Sequence, residues 1–128
     1  MIIGIGVDTV DISRFERQIT KTPKLIGRLF TPQEKYFPAR SLAARFAAKE
    51  ALIKAFGGSD DISWQDLEIL KTGGSKPMFS NTLALTAKLN KLGAAKPHLS
   101  MSHDGNIATA FVVLESLELE AFKRESER

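Results

Sequence analysis

The side chains whose type and setting could do chemistry are Asp8, Arg45, Glu50, Lys54 and His103. Asp8 follows the run Gly4-Ile5-Gly6-Val7. That is the strand edge where open sheets present ligand groups, although a capping or turn aspartate would look the same. Glu50 and Lys54 stand one helical turn apart in segment 42–56, where eleven of fifteen residues are apolar and six of those are Ala. Such a segment is a helix buried almost all round, on which charges need partners. Glu50 and Lys54 read either as an i,i+4 ion pair, worth about 0.3–0.5 kcal/mol if exposed, or as part of a site for a ligand carrying phosphate and a metal ion. With Arg45 at 0°, Lys49 falls at about 40°, Glu50 at about 140° and Lys54 at about 180°, which puts the pairs Arg45/Lys49 and Glu50/Lys54 on different faces.

Other motifs narrow the chemistry. His103 lies between Ser102 and Asp104, but adjacent residues alternate in direction and cannot form a triad among themselves, so His103 by itself reads as a turn histidine. Gly73-Gly74-Ser75-Lys76-Pro77 either offers backbone amides and an ammonium to a phosphate or is a glycine-rich hairpin turn. Gly4-Ile5-Gly6 lacks the third glycine of a dinucleotide fingerprint, and there is no P-loop. Absence of cysteine excludes a disulfide framework, a thiolate nucleophile and a thiolate-ligated metal.

The elements that must position these residues follow from period and punctuation. Residues 1–10 read as a buried β-branched strand ending at or soon after Asp8. Asp11 caps a helix over 12–21 with Ile12, Phe15 and Ile19 on one face and Arg14, Arg17 and Lys21 on another. A short helix spans 24–29, and Thr31-Pro32-Gln33-Glu34 has the form of a capped start to another over 31–37. The long helix runs from about residue 40 to 56 and stops at Gly57-Gly58. Strands over 64–71 and 77–79 flank the glycine-rich turn, a helix covers 81–92, and strands 98–102 and 107–115 form a hairpin joined at residues 103–106. The order is α+β, with an antiparallel-rich sheet packed on a long buried helix.

The chain has 128 residues, enough for a single core. The expected division is one domain over 1–115 and a charged tail over 116–128. Residues 1–54 carry ten Lys and Arg against five Asp and Glu, and residues 55–128 carry eight against ten, so the net +3 is concentrated in the first half and points to an anionic partner. No apolar run approaches the roughly 18 residues of a membrane span, and the first residues lack a basic leader, which makes a cytoplasmic protein with no membrane partner the expectation.

Several of these pieces, taken in order, closely resemble one family. They are Gly4-Ile5-Gly6-Val7-Asp8-Thr9-Val10 with Arg14, Phe30-Thr31-Pro32-Gln33-Glu34, and Arg45-Phe46-Ala47-Ala48-Lys49-Glu50-Ala51 with Lys54-Ala55. Gly74-Ser75-Lys76-Pro77 and Leu99-Ser100-Met101-Ser102-His103-Asp104 complete the set. Together they resemble the holo-acyl-carrier-protein synthases, the small bacterial phosphopantetheinyl transferases, over residues 1 to about 115.

The resemblance implies transfer of the phosphopantetheine arm of coenzyme A to a serine of an apo-acyl carrier protein, with release of adenosine 3′,5′-bisphosphate, in fatty acid biosynthesis. It implies Asp8 and Glu50 as carboxylate ligands of Mg²⁺, an ion that suits oxygen donors and phosphates. It also implies Lys54 at the transferring phosphate, and Arg45 and His103 at the 3′-phosphate region of coenzyme A, with Gly74, Lys76, Pro77 and Ser102 in the same binding segments. The His103 segment would come from a neighbouring subunit of a homotrimer. Glu50, directly or through a metal-bound water, is the first choice of base for the serine, with Asp8 the alternative. Arg14, Arg17, Lys21 and Arg28 would then meet the acidic helix of the carrier. Another small Mg²⁺-dependent phosphoryl or nucleotidyl transferase is the competing reading. A basic nucleic-acid-binding module is the weaker one, because it leaves Asp8 and Glu50 unexplained and lacks a stacking motif; no nucleic-acid partner is expected.

Overall fold

The computed structural model describes residues 1–58, 61–71 and 76–117. Strand β1 (Ile2–Asp11) leads directly into helix α1 (Ile12–Lys21), and α2 (Lys24–Leu29) follows. The long helix α3 (Ala39–Phe56) comes next, then a 3₁₀ turn (Trp64–Leu67), β2 (Ile69–Lys71), β3 (Pro77–Phe79), α4 (Leu83–Leu92), β4 (His98–Asp104) and β5 (Ile107–Glu115). The described strands form an antiparallel three-stranded sheet in the order β1-β5-β4 and an antiparallel pair β2-β3. The α+β expectation, with an antiparallel sheet against a long buried helix, is what the structure shows.

Helix α3 lies across the inner face of the sheet, and its approach to β1 is set by glycine. A Cβ on Gly6 would stand 1.7 Å from the Ala51 carbonyl oxygen, and one on Gly4 would stand 2.3 Å from that of Ala55. Helix and strand therefore touch backbone to backbone. The alanines of α3 continue the principle, since Ala47, Ala48 and Ala51 are fully buried with no side chain to hold the sheet away. Gly57, at φ +83°, ends the helix in the left-handed conformation glycine adopts freely. Two cores result: one under the sheet around Leu52, Ile69, Phe79 and Val112, and one around Phe15, Phe30 and Leu42 that holds α1 and α2 against α3.

Local chemistry explains the ends of α1 and α4. Asp11 accepts from the Arg14 amide at 2.9 Å, and Thr82 accepts from the Leu85 amide at 3.2 Å.

Four expectations are corrected. β1 is not buried on both faces: Gly6 is covered, while Ile3, Ile5 and Val7 lie on an exposed outer face beside Phe111. Its end at Asp11, soon after Asp8, is as expected and leaves Asp8 within the strand. Segment 31–37 makes turns and no helix, although its capping box forms, the Thr31 amide donating to Glu34 Oε1 at 3.1 Å and the Glu34 amide to Thr31 Oγ1 at 3.3 Å. Residues 64–67 are a 3₁₀ turn capped by Ser63 and only 69–71 are strand, because Asp66 caps that turn instead of continuing a ladder. His103 belongs to β4, paired with Ala108, and the hairpin turns at Gly105-Asn106. The expected turn at 72–75, including Gly74, and tail residues 118–128 lie outside the described residues.

Replacing Gly6 with Ala would force the Cβ into backbone atoms that cannot swing aside. Urea denaturation is expected to show a loss of at least about 3 kcal/mol. Gly27→Ala on α2, where an added Cβ meets nothing within 4 Å, is expected to be neutral or to stabilise by up to about 1 kcal/mol.

Candidate active site

The close approach of α3 to β1 brings Asp8, Glu50 and Lys54 to one hollow. Asp8 lies two residues past Gly6 on the strand face turned toward α3, while Glu50 and Lys54 rise from α3 one turn apart. The hollow, about 350 Å³, is also lined by Asp11, Arg14, Phe15, Gln18 and Phe46. Lys54 Nζ donates to Asp8 Oδ1 at 3.1 Å and to the Val7 carbonyl at 3.0 Å. The i,i+4 ion-pair reading of Glu50 with Lys54 is thus corrected: the strand carboxylate takes the ammonium. Burial pushes the Glu50 carboxyl above its ordinary range, the Asp8 charge adds to that, and Lys54 opposes it. The like charge of Asp8 acting on Glu50 makes this hollow one where additional positive charge is favourable.

A second hollow of about 510 Å³ gathers Arg40, Ser41, Arg45, Lys71, Pro77, Ser102 and His103. Arg45 is 1% exposed. Its Nε donates to the Ile69 carbonyl at 3.1 Å, its Nη1 donates to Ser41, and its guanidinium lies 3.7 Å from the Phe37 ring centre. Nη2 is buried with no hydrogen-bond partner among the described residues. A buried cation with an unused donor on the wall of a basic hollow is suited to an anion. Lys76 is exposed and does not line this hollow. The two hollows share no lining residue.

Sequence reasoning missed Arg40, Ser41 and Lys71 here. The signal for Lys71 was its pairing with Pro77 across the short β2-β3 ladder, which carries it to the same wall. It also missed the partner of Lys49. Lys49 and Glu34 are both fully buried and joined at 2.6 Å. Lys49 Nζ spends its other donors on the Leu29 carbonyl at 2.7 Å and the Trp64 carbonyl at 3.1 Å. Glu34 Oε2 accepts from the Ile69 amide at 3.0 Å. The Glu of the capping box, set opposite a lysine on an otherwise apolar helix, was the available clue.

The basic residues of the first half are dispersed. Arg14 faces the carboxylate hollow, Arg17 and Lys21 line a shallow depression on α1 with Ser13, Glu16 and Thr20, and Arg28 borders a small apolar hollow formed by Leu25, Leu29, Phe46 and Trp64. Among the described residues no helix is long and apolar enough to cross a membrane.

The fold has close counterparts. Residues 4–112 match the profile of the 4′-phosphopantetheinyl transferase superfamily, and the chain belongs to that family. It is 55% identical over 115 residues to the holo-[acyl-carrier-protein] synthase of Clavibacter sepedonicus, a match covering 90% of this chain and 97% of that one. Among solved structures, the holo-[acyl-carrier-protein] synthase of Neisseria meningitidis superposes with a TM-score of 0.84 at 37% identity, covering 91% of this chain and 100% of that one. The Helicobacter pylori enzyme in complex with coenzyme A gives 0.77 at 30% identity, covering 87% and 99%.

The raised Glu50 carboxyl has a consequence for stability. A carboxyl whose folded-state pKa lies above its unfolded value of about 4.5 contributes stability at low pH, and that stability is lost as pH rises through the folded value. Glu50→Gln removes the charge, so the ligand-free variant is expected to melt above the wild type at pH 7. The difference should shrink toward zero as pH is lowered through the carboxylate range, read by thermal melts across a pH series.

Proposed function

We propose that the chain is a holo-[acyl-carrier-protein] synthase, moving the phosphopantetheine group of coenzyme A to a serine of an apo-acyl carrier protein and releasing adenosine 3′,5′-bisphosphate. The observation that carries this reading is the meeting of Asp8, Glu50 and Lys54 in one hollow, in a chain similar over most of its length to enzymes of that name.

Asp8 and Glu50 fit a magnesium ion: both donors are carboxylate oxygens, one already attracts an ammonium, and the other is held above its ordinary range in part by the first. When bound there, Mg²⁺ would supply Lewis-acid neutralisation of the diphosphate. Glu50, its carboxyl raised by burial and by the Asp8 charge and thus a stronger base than a free carboxylate, is the group suited to accept the serine proton as the serine oxygen bonds to phosphorus and the bond to the bisphosphate leaving group breaks. Lys54 donates to the phosphoryl oxygens on which charge accumulates. Arg45, with its unused Nη2, and His103 bind the 3′-phosphate of coenzyme A, with Pro77 and Ser102 on the same wall and Arg40 and Lys71 adding positive charge. Gly74 and Lys76, just before Pro77 in sequence, belong to the same coenzyme A-binding segment.

The two hollows lie on different sides of α3 and have separate linings, which supports a complete site assembled from two copies of the chain. Arg45 and His103 line the same hollow, which supports a reading in which one subunit supplies both to a site whose carboxylates belong to its neighbour. The exposed outer sheet face of Ile3, Ile5, Val7 and Phe111 offers the apolar surface for such an assembly, which we read as a homotrimer. Arg17, Lys21 and Arg28 form the face for the acidic carrier, with Arg14 between it and the reaction centre, and the apolar hollow beside Arg28 would receive an apolar side chain of that partner. The catalytic unit comprises residues 1–115 with 116–128 appended, and the enzyme works in the cytoplasm on the fatty acid pathway.

Incubation with coenzyme A, Mg²⁺ and an apo carrier protein is expected to add the mass of the phosphopantetheine arm to the carrier. Glu50→Gln should lower the rate at least about 100-fold while coenzyme A still binds. No mass gain with several carriers would sink the assignment, and comparable turnover in the variant would remove Glu50 as the base. Reversing Arg17 and Lys21 to Glu together should raise the KM for carrier roughly tenfold, more at low salt, and leave the KM for coenzyme A unchanged.

A further inference from the structure

Lys54 is committed, in this structure, to groups that a phosphate-binding lysine does not need. Its ammonium spans Asp8 Oδ1 at 3.1 Å and the Val7 carbonyl at 3.0 Å, both on β1. Asp8 is largely covered, with a side chain 18% exposed, whereas Lys54 is 52% exposed. The charged groups facing this spot are Asp8 and Asp11 from β1, Arg14 from α1, and Glu50 and Lys54 from α3. Asp11 is already occupied by the Arg14 amide and the Asn106 side chain. Among the described residues, Lys54 is therefore the cation in direct contact with Asp8, beside Glu50.

We propose that Lys54 is a built-in counterion of Asp8 that competes with a divalent cation for that carboxylate, and that it turns from Asp8 to the substrate's phosphate when the cation binds. The inference rests on the reading of Asp8 and Glu50 as cation ligands. A carboxylate oxygen that holds a small divalent ion lies about 2.1 Å from it. An ammonium on the same oxygen would then face a double positive charge at near-contact distance, and the two cannot both stay. Asp8 is fixed in a paired strand and Glu50 on a buried helix, whereas the flexible, half-exposed stem of Lys54 can move at little cost. The free chain is thus stable without metal and binds it weakly. A substrate phosphate that accepts the ammonium strengthens cation binding, and by linkage the cation strengthens phosphate binding by the same factor.

Mn²⁺ titration of the full-length chain without coenzyme A, by calorimetry and by electron paramagnetic resonance of the free ion, tests this. Lys54→Met is expected to bind Mn²⁺ about tenfold more tightly than wild type. Arg14→Met, which removes a cation of the same hollow that does not hold Asp8, should change affinity less than about threefold. Equal or weaker binding by Lys54→Met, or an equal gain in Arg14→Met, would overturn the proposal. Asp8→Asn separates the two layers. If it leaves Mn²⁺ affinity unchanged, the cation-ligand reading fails and the proposal with it. If it weakens binding while Lys54→Met does not strengthen it, only the counterion role fails. Should wild type bind no Mn²⁺, a gain in Lys54→Met supports the proposal and its absence overturns it. Thermal melts confirm that each variant is folded.

Discussion

The contact on which the structure depends is that of α3 with β1. Gly4 and Gly6 allow the Ala55 and Ala51 carbonyls to approach the strand to within the volume a methyl group would fill. Side chains elsewhere in the core can repack by rotamer changes, but this seam has almost none to change. One consequence is chemical. With no intervening side chains, a carboxylate two residues along the strand and an ammonium one turn along the helix meet directly, as Asp8 and Lys54 do. Glu50, between these two points, is held where burial and a like charge both act on its proton.

The four polar residues of the buried stretch of α3 show how position along one helix distributes charge. Lys49 points into the protein and is fully satisfied by Glu34 and two carbonyls. Arg45 is as deeply buried but keeps one donor unused on the wall of a hollow. Glu50 and Lys54 emerge where the helix crosses the edge strand β1. A buried ion pair that is fully hydrogen-bonded holds geometry more than it adds stability. An incompletely satisfied charge is the mark of a group kept for a ligand.

Much of this was legible in the sequence because it is local. The bounds of α1 and α2 follow from Asp11, Pro23 and the apolar period, and the end of α3 from Gly57. Asp8, Glu50 and Lys54 could be singled out because acids and bases beside apolar runs demand an explanation, and they do meet. What was not legible depends on pairing across the chain. A run of Ile and Val in β1 reads as buried on both sides, and only the glycines between them reveal which face meets the helix. The capping box at Thr31 signals a helix by local rule, yet the Glu34 carboxylate is drawn to Lys49 and Ile69 and the chain turns away. Lys71 reaches the basic hollow only through its pairing with Pro77, and Arg40 only because α3 begins early enough to carry it a little over one turn ahead of Arg45, neither of which a local motif announces.

The Glu34 carboxylate bears on how the molecule comes apart. One oxygen serves the turn it belongs to and the Lys49 ammonium, while the other holds β2 through Ile69. Lys49 in turn holds the end of α2 and the 3₁₀ turn. This one knot ties the core around Phe30 to the core around Leu52, and neither can open without stranding a charge in the other. Two clusters that would otherwise melt separately are thereby made one cooperative unit, so the acidic and basic hollows are gained and lost together.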